Sequence, residues 1–496
     1  MLERYHKGFI LHKALCQTEE KTVHHNETLS FPMHLMHEKF SSMTMLSHLY
    51  QRKNKKHFYF TQSSYHRERS ISEENVSIEA SMAEILMSPF QEIRHTRSFY
   101  MDQMVSPKYT SSVTILMGTR HDGKSSLLDD LVKYIMGKNA TANIIRINFK
   151  LKDSEYLRNG DALQQYIWNQ TVPRVENYIL IEEIKDCPSY VRILTTLREH
   201  HKYHIYLTSS FNLLRDTPDL VKTLHAHIIP VFPFSFQEYS SLFTDRTLSE
   251  LMTRYMHEGG FPASFALSTS YRKKMYSIDT VENRIFRNLI MDRGLRNEPL
   301  LHSIILYLIE HNGTMTSIHA IAKELQEKNN LTINHRTVGS YVEALCDSFF
   351  FYKVPRYDIR RHQHLSSGFI YYLVDPCFQY AHSLVDSKTS HIYENIVVID
   401  LIRRGYRVTS LVAERQHRGF SATKGDHRFI FHVAERKTDL ALMQQEGFSL
   451  CRFSPCHRQI CIAPTHHTVH DTNKLHIVDT TEWLLHDPSD FTSNLC

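Results

Sequence analysis

The sequence predicts an α/β protein built on a parallel sheet. A mainly helical stretch, a three-helix unit with a β-hairpin and a smaller second α/β unit follow it. Three observations carry this reading. From residue 113 onward, short apolar runs alternate with amphipathic helical stretches, the pattern of parallel strands joined through helices. A glycine-bounded loop, Gly118 to Ser125, lies between the first such strand and the first such helix. A later apolar run, Tyr178-Ile-Leu-Ile181, ends in paired carboxylates, Glu182 and Glu183.

Residues 1–104 are polar and irregular, with a basic knot at Arg52, Lys53, Lys55 and Lys56. A helix over Ser77 to Met87 places Ile78, Met82, Ile85 and Leu86 on one face. This part reads as a partly disordered extension without identifiable chemistry. Residues 105–235 form the sheet unit. Val113 to Met117 is its first strand, and Leu127, Leu128, Leu131, Val132 and Ile135 mark one face of the helix after it. Further strands are expected at Asn143 to Phe149, Tyr178 to Ile181, His204 to Thr208 and His227 to Phe232, with helices around Ala162 to Trp168 and Tyr190 to His200. Residues 236–298 read as a helical lid. In 299–387, helices are expected over Pro299 to Glu310, after Thr316 or Ser317 as N-cap, and over Asn334 to Asp347. The β-rich runs Phe349 to Val354 and Phe369 to Val374 complete a winged-helix pattern. Residues 388–496 mix a helix, Tyr393 to Arg404, with strands.

Composition narrows the class. The chain of 496 residues is 42% hydrophobic and 22% charged, enough apolar matter for several packed cores, so wholesale disorder is excluded. Lys and Arg number 58 against 53 Asp and Glu, giving +5, which permits a nucleic-acid partner without requiring one. No run approaches the ~18 apolar residues of a membrane span. The beginning, MLERYHKGFILHK, lacks the layout of a signal peptide, and eight cysteines in so long a chain make no disulfide framework; a cytoplasmic location is expected. Glycine is scarce, 15 residues in all, and none occurs between Gly8 and Gly118. Closely spaced glycines in such a chain answer a backbone need.

Gly118-Thr-Arg-His-Asp-Gly123-Lys124-Ser125 matches G-x-x-x-x-G-K-[ST] without a gap. Such a loop turns backbone N–H groups toward phosphate oxygens, and the following helix adds its positive dipole end. Lys124 is expected to reach the β- and γ-phosphates and the Ser125 hydroxyl to ligate Mg²⁺. Gly118, Thr119, Arg120, His121, Asp122, Gly123, Lys124, Ser125 and Ser126 are therefore the expected nucleotide-binding residues. Glu182 is expected to hold Mg²⁺ with Ser125, and Glu183 to orient or deprotonate the attacking water. A hydroxyl of Thr208-Ser209-Ser210, at the end of the next strand, is a candidate γ-phosphate sensor, with a Ser/Thr-rich turn as the alternative.

The order of these motifs resembles a large prokaryotic family of AAA+-like P-loop ATPases with a C-terminal winged helix and a restriction-endonuclease-like domain. The matching segments are the phosphate loop, ILIEEI (179–184), IYLTSSFNLL (205–214), PFSFQEY (233–239), YMHEGGFP (255–262), YYLVDP (371–376) and YENIVVIDLIRRGYRV (393–408). The resemblance implies ATP and Mg²⁺ as ligands and Glu182 and Glu183 as the Walker B pair. The sequence departs from the pattern in three places. Glu182 stands where Asp is usual, Ser209 replaces the glycine of T-G-S, and His225-Ala226-His227 offers no arginine before the PFSF segment. Binding is thus better supported than turnover. For the last domain the resemblance implies Glu394 and Asp439 as remnants of a nuclease centre. Phe448 to Phe453 supplies neither the acid nor the lysine that would complete it, so the domain is expected to be inactive.

Asn334, His335 and Arg336 at the start of the third helix, and Arg356, Arg360, Arg361, His362 and His364 in the hairpin, suit contact with double-stranded DNA. The alternative is a module for a protein partner or self-association, with a solvated basic loop. Cys451, Cys456, His457, Cys461, His466 and His467 lack the paired spacing of a zinc site. The expected function is Mg²⁺-dependent ATP binding with slow hydrolysis, acting as a nucleotide-driven switch. A DNA-binding regulator with a hydrolytically inactive site and an ATP-coupled nuclease are the alternatives.

Overall fold

A computed structural model describes residues 97–106, 113–199, 203–280, 289–290, 293–329, 333–382, 391–413, 416–435, 459–465, 469–472 and 475–492. The chain divides into two units between Ser81 and Met82, and the first lies wholly outside the described residues. So do the expected helix at Ser77 to Met87 and the basic knot at 52–56.

Helix α1 (Ser98–Met104) precedes a five-stranded sheet of β1 (Thr114–Met117), β2 (Asn143–Asn148), β3 (Asn177–Glu182), β4 (Tyr203–Ser209) and β5 (His227–Pro230). All pairings are parallel, in the order β2-β3-β4-β1-β5. Helices α2 (Lys124–Lys138), α3 (Gly160–Gln170) and α4 (Tyr190–Glu199) alternate with the strands. Side-chain alternation splits the apolar residues between two faces. Ile115, Met117, Ile179 and Ile181 pack with α3 and α4 residues such as Leu163, Ile167 and Ile193. Leu116, Leu180 and Ile229 meet Leu127, Leu128 and Leu131 of α2, with Tyr100 and Met104 of α1. Thus α1, counted by sequence with the N-terminal extension, packs on the sheet core.

The segment expected as a helical lid contains α5 (Leu248–Glu258), opened by a capping box between Thr247 and Glu250. Next come α6 (Glu298–Glu310), β6 (Met315–Thr316), α7 (Ile318–Asn329) and α8 (His335–Asp347). Asn334 caps α8 by accepting from Arg336 N at 2.9 Å. Strands β7 (Phe351–Val354) and β10 (Phe369–Leu373) pair antiparallel, and β6 adds to β10. Between them, β8 (Arg356–Asp358) and β9 (Gln363–His364) leave this small sheet. They join an eight-stranded sheet with β11 (Arg407–Ala413), β12 (Gln416–Lys424), β13 (His427–Val433), β14 (Gln459–Ala463), β15 (Val469–Thr472) and β16 (Leu475–Asp479). Arg356 pairs with Ser410 in this ladder, so the base of the expected wing is built into the C-terminal sheet. Helix α9 (Ile392–Arg403) and helix α10 (Thr480–Leu485) flank that sheet.

One apolar cluster runs through α5, the α6–α8 unit and the C-terminal sheet. Several sequence segments named above meet at a single junction. Phe234 N donates to Gly260 O at 2.7 Å, Gly260 N donates to Asp375 Oδ2 at 2.7 Å, and Arg403 Nη2 donates to Pro233 O at 3.0 Å. Gly259 has φ +70°, and a Cβ there would strike the Asp375 carboxylate. The glycine pair is thereby explained by close backbone approach rather than by ligand contact.

Candidate nucleotide-binding site

The loop between β1 and α2 bends through left-handed backbone at His121 (φ 68°) and Gly123 (φ 99°). Only glycine adopts the second without strain. The Lys124 ammonium is buried and directed back into the loop, donating to Gly118 O at 2.8 Å and Thr119 O at 2.6 Å. It also pairs with the Asp122 carboxylate, at 3.0 Å to Oδ1 and 3.1 Å to Oδ2. Asp122 Oδ1 accepts in addition from Lys124 N at 3.1 Å. Burial pushes the Asp122 carboxyl up, and the Lys124 ammonium pulls it back without cancelling the rise. Ser125 and Ser126 lie in the first turn of α2, half-buried, while His121 is exposed.

The two expected acids stand where the sequence put them, at the end of β3. Glu182 is buried, and its Oε2 accepts from Ser125 Oγ at 2.5 Å. The donor set thus brings together a hydroxyl and a carboxylate of the kind Mg²⁺ takes, and fits such an ion. Glu182 Oε1 accepts from Arg146 Nη2 at 2.8 Å, and Arg146 Nη1 donates to Asp129 at 2.6 Å. Glu183 is buried in left-handed backbone (φ 56°), uncommon for a side chain of its kind. Its Oε1 accepts from Ser210 Oγ at 2.6 Å, and its Oε2 from Ser210 N at 3.0 Å. Lys150 Nζ lies 3.5 Å from the same carboxylate. Burial pushes the Glu183 carboxyl up, but Lys124, Lys150, the Ser210 hydrogen bond and Arg120 outweigh it and hold the group below the usual range.

The hydroxyls of 208–210 face Glu183 or their own backbone. Thr208 Oγ1 accepts from Glu183 N at 3.1 Å, and Ser209 Oγ donates to Phe211 O at 2.8 Å. Three cations near the site were not anticipated from sequence. Arg97 donates to Asp122 O and Phe232 O, both at 2.7 Å, and to Glu238 Oε1 at 3.0 Å. Arg146 and Lys150 follow from β2. A charged residue inside the otherwise apolar run Ile144–Ile147 was the available signal for Arg146; nothing local distinguishes Arg97 from the other arginines before the core.

In the C-terminal sheet unit, Glu394 is buried on α9 and accepts from Tyr372 Oη at 2.7 Å. Asp439 and Phe448 to Phe453 lie outside the described residues, as do Cys451, Cys456, His457, His466 and His467; Cys461 is buried in β14. Among the described residues no group of three or more His, Cys, Asp and Glu is arranged to hold a metal ion. Nor is any described helix long and apolar enough to cross a membrane.

A parallel sheet with a glycine-bounded lysine loop at the C-terminal end of β1, and paired carboxylates at the end of β3, defines a P-loop NTPase domain. Residues 110–240 match the AAA domain family. Residues 249–389 match a domain of unknown function (DUF8612). An uncharacterized protein of Haemophilus influenzae (strain ATCC 51907 / DSM 11121 / KW20 / Rd) is 26% identical over 400 residues, spanning 79% of this chain and 98% of that protein. Among solved structures, the chain is similar to the Aeropyrum pernix ORC1 protein in complex with DNA, at 12% identity and a TM-score of 0.30 over 61% of this chain and 93% of that one. It is also similar to AMPPCP-bound DnaA from Aquifex aeolicus, at 13% identity and a TM-score of 0.22 over 50% and 86%.

Proposed function

We propose that this protein binds ATP with Mg²⁺ in the loop 118–126, hydrolyses it slowly and acts as a nucleotide-driven switch. One observation carries the reading: Lys124 and Ser125 open α2 directly behind the loop, and the Ser125 hydroxyl already meets the Glu182 carboxylate at 2.5 Å. Ser125 and Glu182 would hold the metal, which supplies charge neutralisation between the phosphates. Lys124 compensates phosphate charge, and the outer edge of the loop, exposed His121 and half-buried Arg120, borders the polyphosphate. Glu183 serves as base or water-orienting group. Its contact with Ser210 holds the carboxylate against the chain just after β4, so the water-activating position requires that contact to loosen, which favours slow turnover. Titration of Mg-ATP into wild type and Lys124→Ala tests the reading: binding is expected in the first and lost in the second, and equal affinity in both refutes it.

The same contacts give the switch a route. The segment that begins at Ser210 reaches α8 within two residues: Asn212 N donates to Asp347 O at 2.8 Å. Arg215 pairs with Asp347 at 2.5 Å and Glu343 at 2.7 Å. A shift of Glu183 and Ser210 on nucleotide binding is thereby delivered to the helix whose other end exposes Asn334, His335 and Arg336. In a winged-helix reading of 299–387, that end and the exposed Arg360, Arg361, His362 and His364 form the surface for double-stranded DNA. Duplex DNA added to the turnover assay separates two outcomes. A change in ATP hydrolysis supports a DNA-coupled ATPase, whereas DNA binding without any hydrolysis supports a regulator with a silent site.

A further inference from the structure

We propose that the Asp122 carboxylate is a built-in competitor for the phosphate seat of its own loop, setting the nucleotide affinity of the site. The inference rests on the nucleotide-binding reading and concerns a residue that the G-x-x-x-x-G-K-[ST] pattern leaves unspecified.

The donors of such a loop that receive phosphate oxygen are the backbone N–H groups at the start of the helix and the lysine ammonium. Asp122 engages both. Its Oδ1 accepts from Lys124 N at 3.1 Å and from Lys124 Nζ at 3.0 Å, and its Oδ2 lies 3.1 Å from the same ammonium. The remaining ammonium contacts go to the carbonyls of Gly118 and Thr119. The pair is closed to solvent, with side-chain exposures of 3% for Lys124 and 1% for Asp122. A carboxylate in this position is an anion tethered at the place a phosphate must enter.

Three features hold it there. Gly118 makes the room, because a Cβ at that position would meet Asp122 Oδ2 and the Val231 carbonyl. Arg97 fixes the Asp122 backbone by donating to its carbonyl at 2.7 Å, and is itself locked by Phe232 O and Glu238. Burial with a single ammonium leaves no room for a second anion on that ammonium, because two like charges in one dry seat repel strongly. Entry of a phosphate therefore requires the carboxylate to rotate out of the loop or to take up a proton. Each route subtracts from the affinity that the loop would otherwise show.

The experiment is calorimetric titration of Mg-ATP into the full chain as wild type, Asp122→Asn, Asp122→Ser and Lys124→Ala. Serine keeps a short acceptor for Lys124 N without the charge, so it remains informative if the asparagine variant packs poorly. Tightening by about tenfold or more in the neutral variants is expected, the scale of removing one close like charge from a partly screened site. Detectable binding by the Asp122 variants where wild type shows none also supports the proposal. Equal or weaker affinity in both neutral variants overturns it. In that case loss of binding in Lys124→Ala would leave the ATP reading intact. Absence of binding in every protein overturns the proposal and the ATP reading together.

Discussion

Arg97 illustrates how much one side chain outside the motif can do. It is buried, donates three hydrogen bonds and ties α1's entry to the loop backbone, to Phe232 just after β5 and to Glu238. Its guanidinium also stacks on Tyr100 and Phe234, 4.4 and 4.7 Å from their ring centres. Removing one partner of a buried pair strands the other, so Arg97→Ala is expected to lower stability by about 3 kcal/mol or more. Lysine should not restore the loss, since an ammonium cannot make the planar fork of contacts. Denaturant unfolding of the three proteins checks both statements. Glu183 offers the complementary test at the same scale. Glu183→Gln should retain Mg-ATP binding and lose turnover by about a hundredfold or more. A variant as active as wild type would remove Glu183 from the chemistry.

At the scale of elements, the decisive piece is the short link from β4 to α8. Strand β4 ends beside Glu183, and the chain after it caps the last turn of α8 through Asn212 and grips its side through Arg215. Arg293 adds contacts to Asp347 at 3.5 Å and Asp216 at 3.2 Å, so the ion pairs form a network rather than a lone surface pair. Arg215→Ala should leave Mg-ATP affinity near that of wild type while reducing the ATP-induced change in amide exchange over 335–347. An undiminished change would mean that the signal takes another route. The glycine pair belongs to the same scale. Gly259→Ala forces a side chain into left-handed backbone and against Asp375, and should cost about 2 kcal/mol or more in a denaturant titration.

Across the whole molecule, two histidines, His382 and His432, make stability depend on pH. Burial pushes His382 and His432 down to about 4, so the folded chain refuses protons that the unfolded chain takes up below ~6.5. By linkage, their contribution is present above the unfolded value and is lost as pH falls from ~6.5 toward 4. Glu435 works in the opposite direction: burial pushes it up to about 7, so its contribution is lost as pH rises from ~4.3 through 7. Comparing wild type with His432→Gln isolates one term. The stability of wild type relative to the variant should fall as pH drops from ~6.5 to 4, as measured by denaturant midpoints across that range. A difference that does not change with pH would show that His432 takes its proton as readily folded as unfolded.

The glycine-bounded loop, the acids at the end of β3 and the alternation of strands and helices were legible from the sequence because each depends on neighbours within a few residues. Backbone turning at Gly123, the strand period of Ile179 and Ile181 and the helical face of α2 are local properties. The sequence also located Glu182 and Glu183 as candidates, since an apolar strand can end in acids only where they reach an exposed or functional edge. Contacts across long separations were decided by the tertiary structure alone. Nothing near residue 97 predicts that its arginine would cap a loop 25 residues on and meet Glu238, 141 residues away. Nor does the hairpin after β7 announce that β8 pairs with β11 instead of standing free. Such pairings are fixed by which buried hydrogen bonds and charges find partners once the sheets have packed, and that accounting closes only in three dimensions.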